Sequence, residues 1–164
     1  MGVRYSDRTE EGWWVVTASF EPATGDGPER PATAAREAEV RTAYEGLLQI
    51  RRLVNGRAGT AVPAPWELRQ MPRAVALVLE AAALPPSAVD AGGRRTRTGY
   101  RVAPGPSGGA AVEVTWLGPP GGGAAEAEQE RLTACAAALE PLGWGCLLYR
   151  GPRRRRFLEV EPPR

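Results

Sequence analysis

The sequence predicts an α+β protein with an N-terminal strand or hairpin, an antiparallel helix pair, and a C-terminal ββαββ antiparallel sheet with one packed helix. Three observations lead to this prediction. Apolar residues alternate along residues 13–20, recur at helical spacing over residues 32–84, and alternate again in short stretches after residue 98. Because helical and strand-like stretches are segregated along the chain, an α+β fold is favoured.

The N-terminal region is expected to hold a strand and then a linker. Residues 13–20 alternate between two faces, and one face carries Trp14, Val16, Ala18 and Phe20. Residues 3–5 could pair with this strand as a hairpin. Residues 21–31 are rich in glycine, proline and charge, which is typical of a linker.

The middle of the chain is predicted to be helical. Residues 32–54 carry apolar side chains at a 3.6-residue period, which predicts the first long helix. Pro65 suits the first turn of a short helix through Gln70, and a second long helix follows from Pro72. Neither long helix has a polar enough surface to be stable in water by itself. We therefore expect the two to pack as an antiparallel pair.

The C-terminal region is predicted to be the ββαββ unit. Its expected elements are strands over residues 99–103 and 111–117, a helix over 124–142, and strands over 144–149 and 156–161. Gly143 is expected to cap the helix in the left-handed conformation. A boundary at residues 88–93 would divide the chain into residues 1–31, 32–91 and 92–164, with one compact domain overall as the alternative.

The composition excludes several kinds of chemistry. Of the 164 residues, 21 are basic and 19 acidic, a net charge of +2, and every basic residue is an arginine. The lack of lysine and histidine excludes histidine acid–base catalysis, histidine metal sites and Schiff-base lysines. Since the nucleophile, phosphate-loop and calcium-loop motifs are also absent, we expect neither an enzyme nor a bound cofactor or metal.

Two arginine clusters are the main candidate site. Arg94, Arg95 and Arg97 precede the first C-terminal strand, which carries Arg101, and Arg150 and Arg153–Arg156 flank the last hairpin turn. In the ββαββ order both clusters reach the same end of the unit. Guanidinium groups bind phosphates in a bidentate manner, so we expect Arg94, Arg95, Arg97, Arg153, Arg154, Arg155 and Arg156 to contact nucleic-acid phosphates.

Three alternative interpretations of the arginine clusters are also consistent with the sequence. The helix that carries Glu126, Glu128 and Glu130 begins at the same end, and its carboxylates could neutralise the arginines. An exposed run of arginines also protects a sheet edge and favours solubility. An acidic protein is the third alternative. No base-reading element is evident in the sequence, so any nucleic-acid contact should be mainly to the backbone.

Trp13 and Trp14 are the second candidate site. Adjacent strand residues point to opposite faces, so both are buried only if the strand is covered on both sides. One of them could instead be an exposed anchor for a partner or a second copy.

The use of arginine without lysine and the abundance of alanine, glycine and proline are typical of a GC-rich bacterial genome. Together these patterns predict a small, non-catalytic bacterial protein of the cytoplasm. Residues 1–11 are polar, the longest apolar run ends at Leu79 after six residues, and Cys135 and Cys146 lie in core-like patterns. The leading hypothesis is a nucleic-acid-associated accessory or regulatory protein. The alternative is a protein-interaction adaptor or homodimer that uses Trp13, Trp14 and a sheet edge. Neither a membrane nor a small-molecule substrate is expected as a partner.

Overall fold

The computed structural model describes residues 20–106 and 110–164, and it has the predicted α+β architecture. Four α-helices are present in this part of the chain: α1 (Ala34–Val54), α2 (Pro65–Arg69), α3 (Met71–Ala81) and α4 (Ala124–Leu139). The strands are β1 (Ala88–Val89), β2 (Arg95–Arg97), β3 (Gly99–Pro104), β4 (Val112–Leu117), β5 (Gly145–Arg150) and β6 (Arg156–Glu161). Short 3-10 turns span Gly56–Ala61, Glu140–Leu142 and Pro152–Arg154.

Helix α1 begins two residues later than predicted because Thr33 caps it. The Thr33 side chain accepts a hydrogen bond from the Arg36 N–H at 3.1 Å, which satisfies one of the free amides of the first turn. Near this end, the Arg36 guanidinium binds the carboxylate of Glu80, close to the end of α3, at 2.8 Å. The start of α1 therefore lies beside the end of α3, so the two helices run antiparallel as predicted.

The C-terminal part forms the expected ββαββ unit. Its four strands are antiparallel in the order β3-β4-β6-β5, so the last strand of the chain lies inside the sheet. In β4, Val112, Val114 and Trp116 are buried and the residues between them are half-buried, which is the alternation expected for a strand with one core face. Helix α4 packs on that face through its buried residues Leu132, Cys135 and Leu139.

Gly143 ends the helical segment in the left-handed conformation, with φ of 87°, as the sequence predicts. A Cβ atom at this position would lie 2.1 Å from the carbonyl oxygen of Ala61, in the turn after α1. Glycine is thus required here for two reasons, the backbone conformation and the close approach of the two segments.

One buried cluster joins the helices to the sheet. It includes Leu47 of α1, Leu77 of α3, Leu132 of α4 and Leu158 of β6. The expected boundary at residues 88–93 lies in a small hairpin formed by β1 and β2, which the sequence analysis did not predict. The division into three regions remains a prediction, although side chains of residues 32–91 and 92–164 share this core.

The segment predicted as a linker contains no helix or strand but is held at many points. The Tyr100 hydroxyl donates to the carbonyl of Ala23 at 2.8 Å, and the Val102 N–H donates to the carbonyl of Thr24 at 2.7 Å. We call residues 20–30 the strap, because the segment bonds to the outer edge of β3 through Thr24 and also contacts α1 and α3. Of the predicted N-terminal strand, residues 13–19 lie outside the described residues, and Phe20 is not in a strand.

Within residues 20–106 and 110–164, none of the helices combines the length and the hydropathy that crossing a bilayer requires.

Candidate nucleic-acid interface

The turn between β5 and β6 has an unusual backbone. The Arg150–Arg156 pair closes the hairpin, and the N–H of Arg155 donates to the carbonyl of Pro152 at 3.3 Å. Between them, Arg153 and Arg154 both have positive φ, 59° and 62°. Two consecutive left-handed residues are the pattern of a type I′ turn, which normally selects Asn-Gly because side chains such as arginine are strained there. We call residues 150–156 the arginine turn.

Most guanidinium groups of the arginine turn have no carboxylate partner in the described part of the chain. Those of Arg150, Arg153, Arg154 and Arg156 form no ion pair or hydrogen bond with it, and Arg153 and Arg154 are exposed at the tip. Arg155 is the exception, because its Nε atom lies 2.6 Å from the carboxylate of Glu128 on α4. The tip of the turn is therefore a cluster of unneutralised positive charge.

Glu128 fixes the base of the arginine turn. Its side chain is only 2% exposed, and its second carboxylate oxygen accepts the backbone N–H of Arg156 at 2.6 Å. The Arg155 guanidinium also donates to the carbonyl of Trp116 at 2.8 Å. Helix α4 and the end of β4 thus hold the returning limb of the turn. Glu126 and Glu130, the other carboxylates expected to compete, pair with none of the described arginines.

Two of the four arginines of the first cluster bind the strap. Arg95 and Arg101 bind the carboxylate of Asp26 at 2.8 and 2.9 Å, and Arg95 also donates to the carbonyl of Gly25. Arg94 is exposed on the turn between β1 and β2. Sequence reasoning missed Asp26 because the pairs join residues about 70 positions apart, across a segment whose composition resembles a linker.

The two clusters begin from the same end of the sheet. Gly99 at the start of β3 pairs with Leu117 at the end of β4, and the Arg155 guanidinium reaches the carbonyl next to that end, on Trp116. One strand, β4, separates β3 from β6, so the clusters stand roughly 10 Å apart at the backbone. Of the first cluster, Arg94 has no carboxylate partner at this end in the described residues.

Arg97 lies at the border of a groove that the sequence pattern does not predict. This groove of about 510 Å³ runs between the start of α1, the end of α3 and the strap, and Tyr44 and Leu84 contribute to its apolar surface. Arg41 and Arg97 border it without a hydrogen-bond or ion-pair partner for their guanidinium groups among the described residues. The groove is therefore amphipathic, and Arg97 lies at its border.

The described residues offer little for covalent or metal chemistry. Burial raises the pKa of Cys135 and of Cys146 to about 12, so both free thiols are protonated and poorly nucleophilic at neutral pH. No group of three or more acidic, cysteine or histidine side chains in residues 20–106 and 110–164 could hold a metal ion. Trp13 and Trp14, the other predicted site, lie outside these ranges.

Comparisons of the chain with families of known proteins, with curated proteins and with solved structures gave no match.

Proposed function

We propose that the protein is a small, non-catalytic nucleic-acid-binding protein of the cytoplasm that contacts phosphates through its arginine turn. The observation that carries this proposal is the exposed pair Arg153 and Arg154, held in left-handed backbone conformations. A solubility device would not need such a backbone, since arginines are accommodated in ordinary turns without strain. Strained residues that the surroundings hold in place are common at functional sites.

The arrangement of charge supports a polyanionic ligand. Five guanidinium groups lie in residues 150–156, and Glu128 is the only carboxylate bonded to any of them within the described residues. Arginine forks bind phosphate oxygens with two parallel hydrogen bonds, and each neutralised phosphate releases counterions from a nucleic acid. The net charge of +2 for the whole chain does not oppose this, because binding depends on the local charge of the turn.

The proposal concerns backbone phosphates rather than base sequence. The arginine turn, with four free guanidinium groups, offers charge but no α-helix that could enter a major groove. Arg94 extends the surface toward the β1–β2 turn. Arg95 is paired with Asp26 and Arg97 borders the groove, so neither is expected to belong to the phosphate-binding surface. We expect Arg153 and Arg154 to contribute most, with Arg150, Arg156 and Arg94 at the periphery.

The test uses a variant that removes the charge of the turn and relieves its strain. The double substitution Arg153→Asn and Arg154→Gly supplies the residues that a type I′ turn prefers, so the hairpin should remain folded. Fluorescence anisotropy with labelled duplex DNA, single-stranded DNA and duplex RNA between 50 and 200 mM salt measures affinity and its salt dependence. For duplex DNA, losing two phosphate contacts should lower the slope of log K against log salt by about 1.8.

The matched control removes two exposed arginines elsewhere, Arg57→Ala with Arg69→Ala, and has the same change in net charge. We expect this control to bind nearly as the wild type does. The proposal is wrong if the wild type shows no binding at about 50 mM salt, where phosphate contacts are strong. It is also wrong if both variants lose affinity equally, since that result would indicate a diffuse charge effect. Stronger binding to polyglutamate than to all three nucleic acids would indicate an acidic protein partner.

A further inference from the structure

The free edge of the sheet is strand β5. At the opposite edge, β3 is covered, because its backbone bonds to Thr24 in the strap and to Pro85 and Ser87 before β1. No described residue pairs with the outer edge of β5. Every second residue of an edge strand points its N–H and C=O outward, so β5 presents a ready template for another strand.

Strand β5 lacks the usual protection of an exposed edge. Leu147, Leu148 and Tyr149 are 48%, 41% and 42% exposed, and together they place apolar surface on both faces of the strand. Its six residues pair with β6 in continuous register without a bulge, and the strand contains no proline. Edge strands that stay unpaired usually carry charges, prolines or bulges along their length, and here the first charge is Arg150 at the end.

The two ends of the β5–β6 hairpin carry opposite charges. At one end Gly145 pairs with Glu161, and Glu159 lies two residues away on the same face. At the other end lies the arginine turn. A hydrogen bond with Glu161 and the nearby carboxylate charges raise the pKa of Glu159, which indicates that negative charge is crowded at the acidic end.

We propose that β5 pairs antiparallel with β5 of a second copy about a two-fold axis, forming a continuous eight-stranded sheet. This inference goes beyond nucleic-acid binding and does not depend on it. A two-fold axis perpendicular to the sheet brings the basic end of each copy toward the acidic end of the other. No other arrangement of two β5 strands along this edge makes the charges complementary, since a parallel pair would place like charges together.

The apolar residues select one register for this pair. The axis must lie midway between two copies of the same residue, because only then do directly opposite side chains lie on the same face of the sheet. With the axis at Leu148, Leu148 faces its own copy, and each Leu147 faces Tyr149 of the second copy. All three exposed apolar side chains are then covered, which an axis at Leu147 would not achieve, since Tyr149 would face Gly145.

The first experiment measures the molar mass of the full chain by light scattering and sedimentation. We expect a dimer that dissociates as the salt concentration rises. The substitution Leu148→Arg places two charges directly opposite each other at the axis and should weaken dimerisation at least tenfold. Leu53→Arg is the control, because Leu53 is 49% exposed on α1 and belongs to no strand, and it should leave the dimer unchanged.

A cross-linking experiment tests the register with variants that should still form the dimer. In a Cys146→Ser background, Leu148→Cys should form a disulfide between two copies under mild oxidation, since opposite antiparallel residues have Cα atoms within disulfide reach. Leu147→Cys should cross-link poorly, because it faces Tyr149. A wild type that is monomeric up to about 100 μM, or a dimer unaffected by Leu148→Arg, overturns the proposal. Equal cross-linking by both cysteine variants overturns the register. None of these readouts involves nucleic acid, so they are independent of the arginine-turn test.

Discussion

Arg51, which forms a buried ion pair with Glu67, connects several segments of the chain through a single side chain. Both side chains are fully buried, and the guanidinium binds the carboxylate through two hydrogen bonds of 2.7 and 2.8 Å. The remaining donors of Arg51 reach the carbonyls of Thr60 and Leu142, so one side chain joins α1, α2 and the end of the α4 segment. Because every polar atom is matched, the pair fixes how these segments meet.

We expect Arg51→Ala to lower the free energy of unfolding by about 3–5 kcal/mol, because it leaves the carboxylate of Glu67 buried without a partner. Urea denaturation followed by circular dichroism measures the effect. Arg52→Ala, at the exposed neighbouring position, should change stability by less than about 0.5 kcal/mol. A double substitution, Arg51→Met with Glu67→Leu, should cost less than Arg51→Ala alone. If it costs more, the ion pair is stabilising in its own right and the reasoning fails.

The pairing of individual charged residues could not be predicted from the sequence. The pattern of α1 gave no reason to expect a buried arginine at position 51, because Arg51 and Arg52 look alike in a helix of mixed composition. The partner Glu67 lies beyond a loop, and the pairing of Asp26 with Arg95 and Arg101 crosses still longer distances in sequence. Such contacts depend on the tertiary fold, which local periodicity does not contain.

At the scale of the element, the arginine turn combines two properties that oppose each other. Its backbone favours residues that tolerate positive φ, and its side chains are arginines. We expect Arg153→Asn with Arg154→Gly to raise the free energy of unfolding by about 1–2 kcal/mol, because the left-handed strain is relieved. Chemical denaturation checks this value.

Replacing the same residues by alanine separates strain from charge. Arg153→Ala with Arg154→Ala removes the charges but keeps a Cβ atom at each strained position. Its stability should therefore stay within about 0.5 kcal/mol of the wild type. A gain as large as that of the Asn-Gly variant would mean that charge repulsion, and not the backbone, limits the stability of this hairpin.

Elements with clear periodicity were predicted closely. Strand β6 covers the predicted residues and α4 begins at the predicted residue. The predicted helix ends three residues early as an α-helix and continues as the 3-10 turn Glu140–Leu142, which Gly143 caps. The short strands β1 and β2 were missed, because two or three residues carry no measurable alternation. The strap has the composition of a linker, and its hydrogen bonds to the rest of the protein use mainly backbone groups and the carboxylate of Asp26, which leave no pattern in the sequence.

At the scale of the whole molecule, the shared core predicts cooperative unfolding. Leu47 of α1 and Leu158 of β6 belong to one buried cluster. We expect Leu47→Ala and Leu158→Ala each to cost about 2–5 kcal/mol and to shift one common transition, seen alike by far-ultraviolet circular dichroism and tryptophan fluorescence. Two transitions, of which each variant moves only one, would instead support separate domains divided near residues 88–93.

The place of β6 within the sheet has a consequence for where the chain can be divided. The C-terminal strand lies between β4 and β5, and the exposed arginine turn joins it to the rest of the protein. Cleavage by trypsin after Arg154 would cut the chain just before β6, so that residues 155–164 would contribute a central strand of the sheet as a separate fragment. The two fragments would have to recombine to close the sheet, so the arginine turn is a natural split point for a fragment-complementation pair.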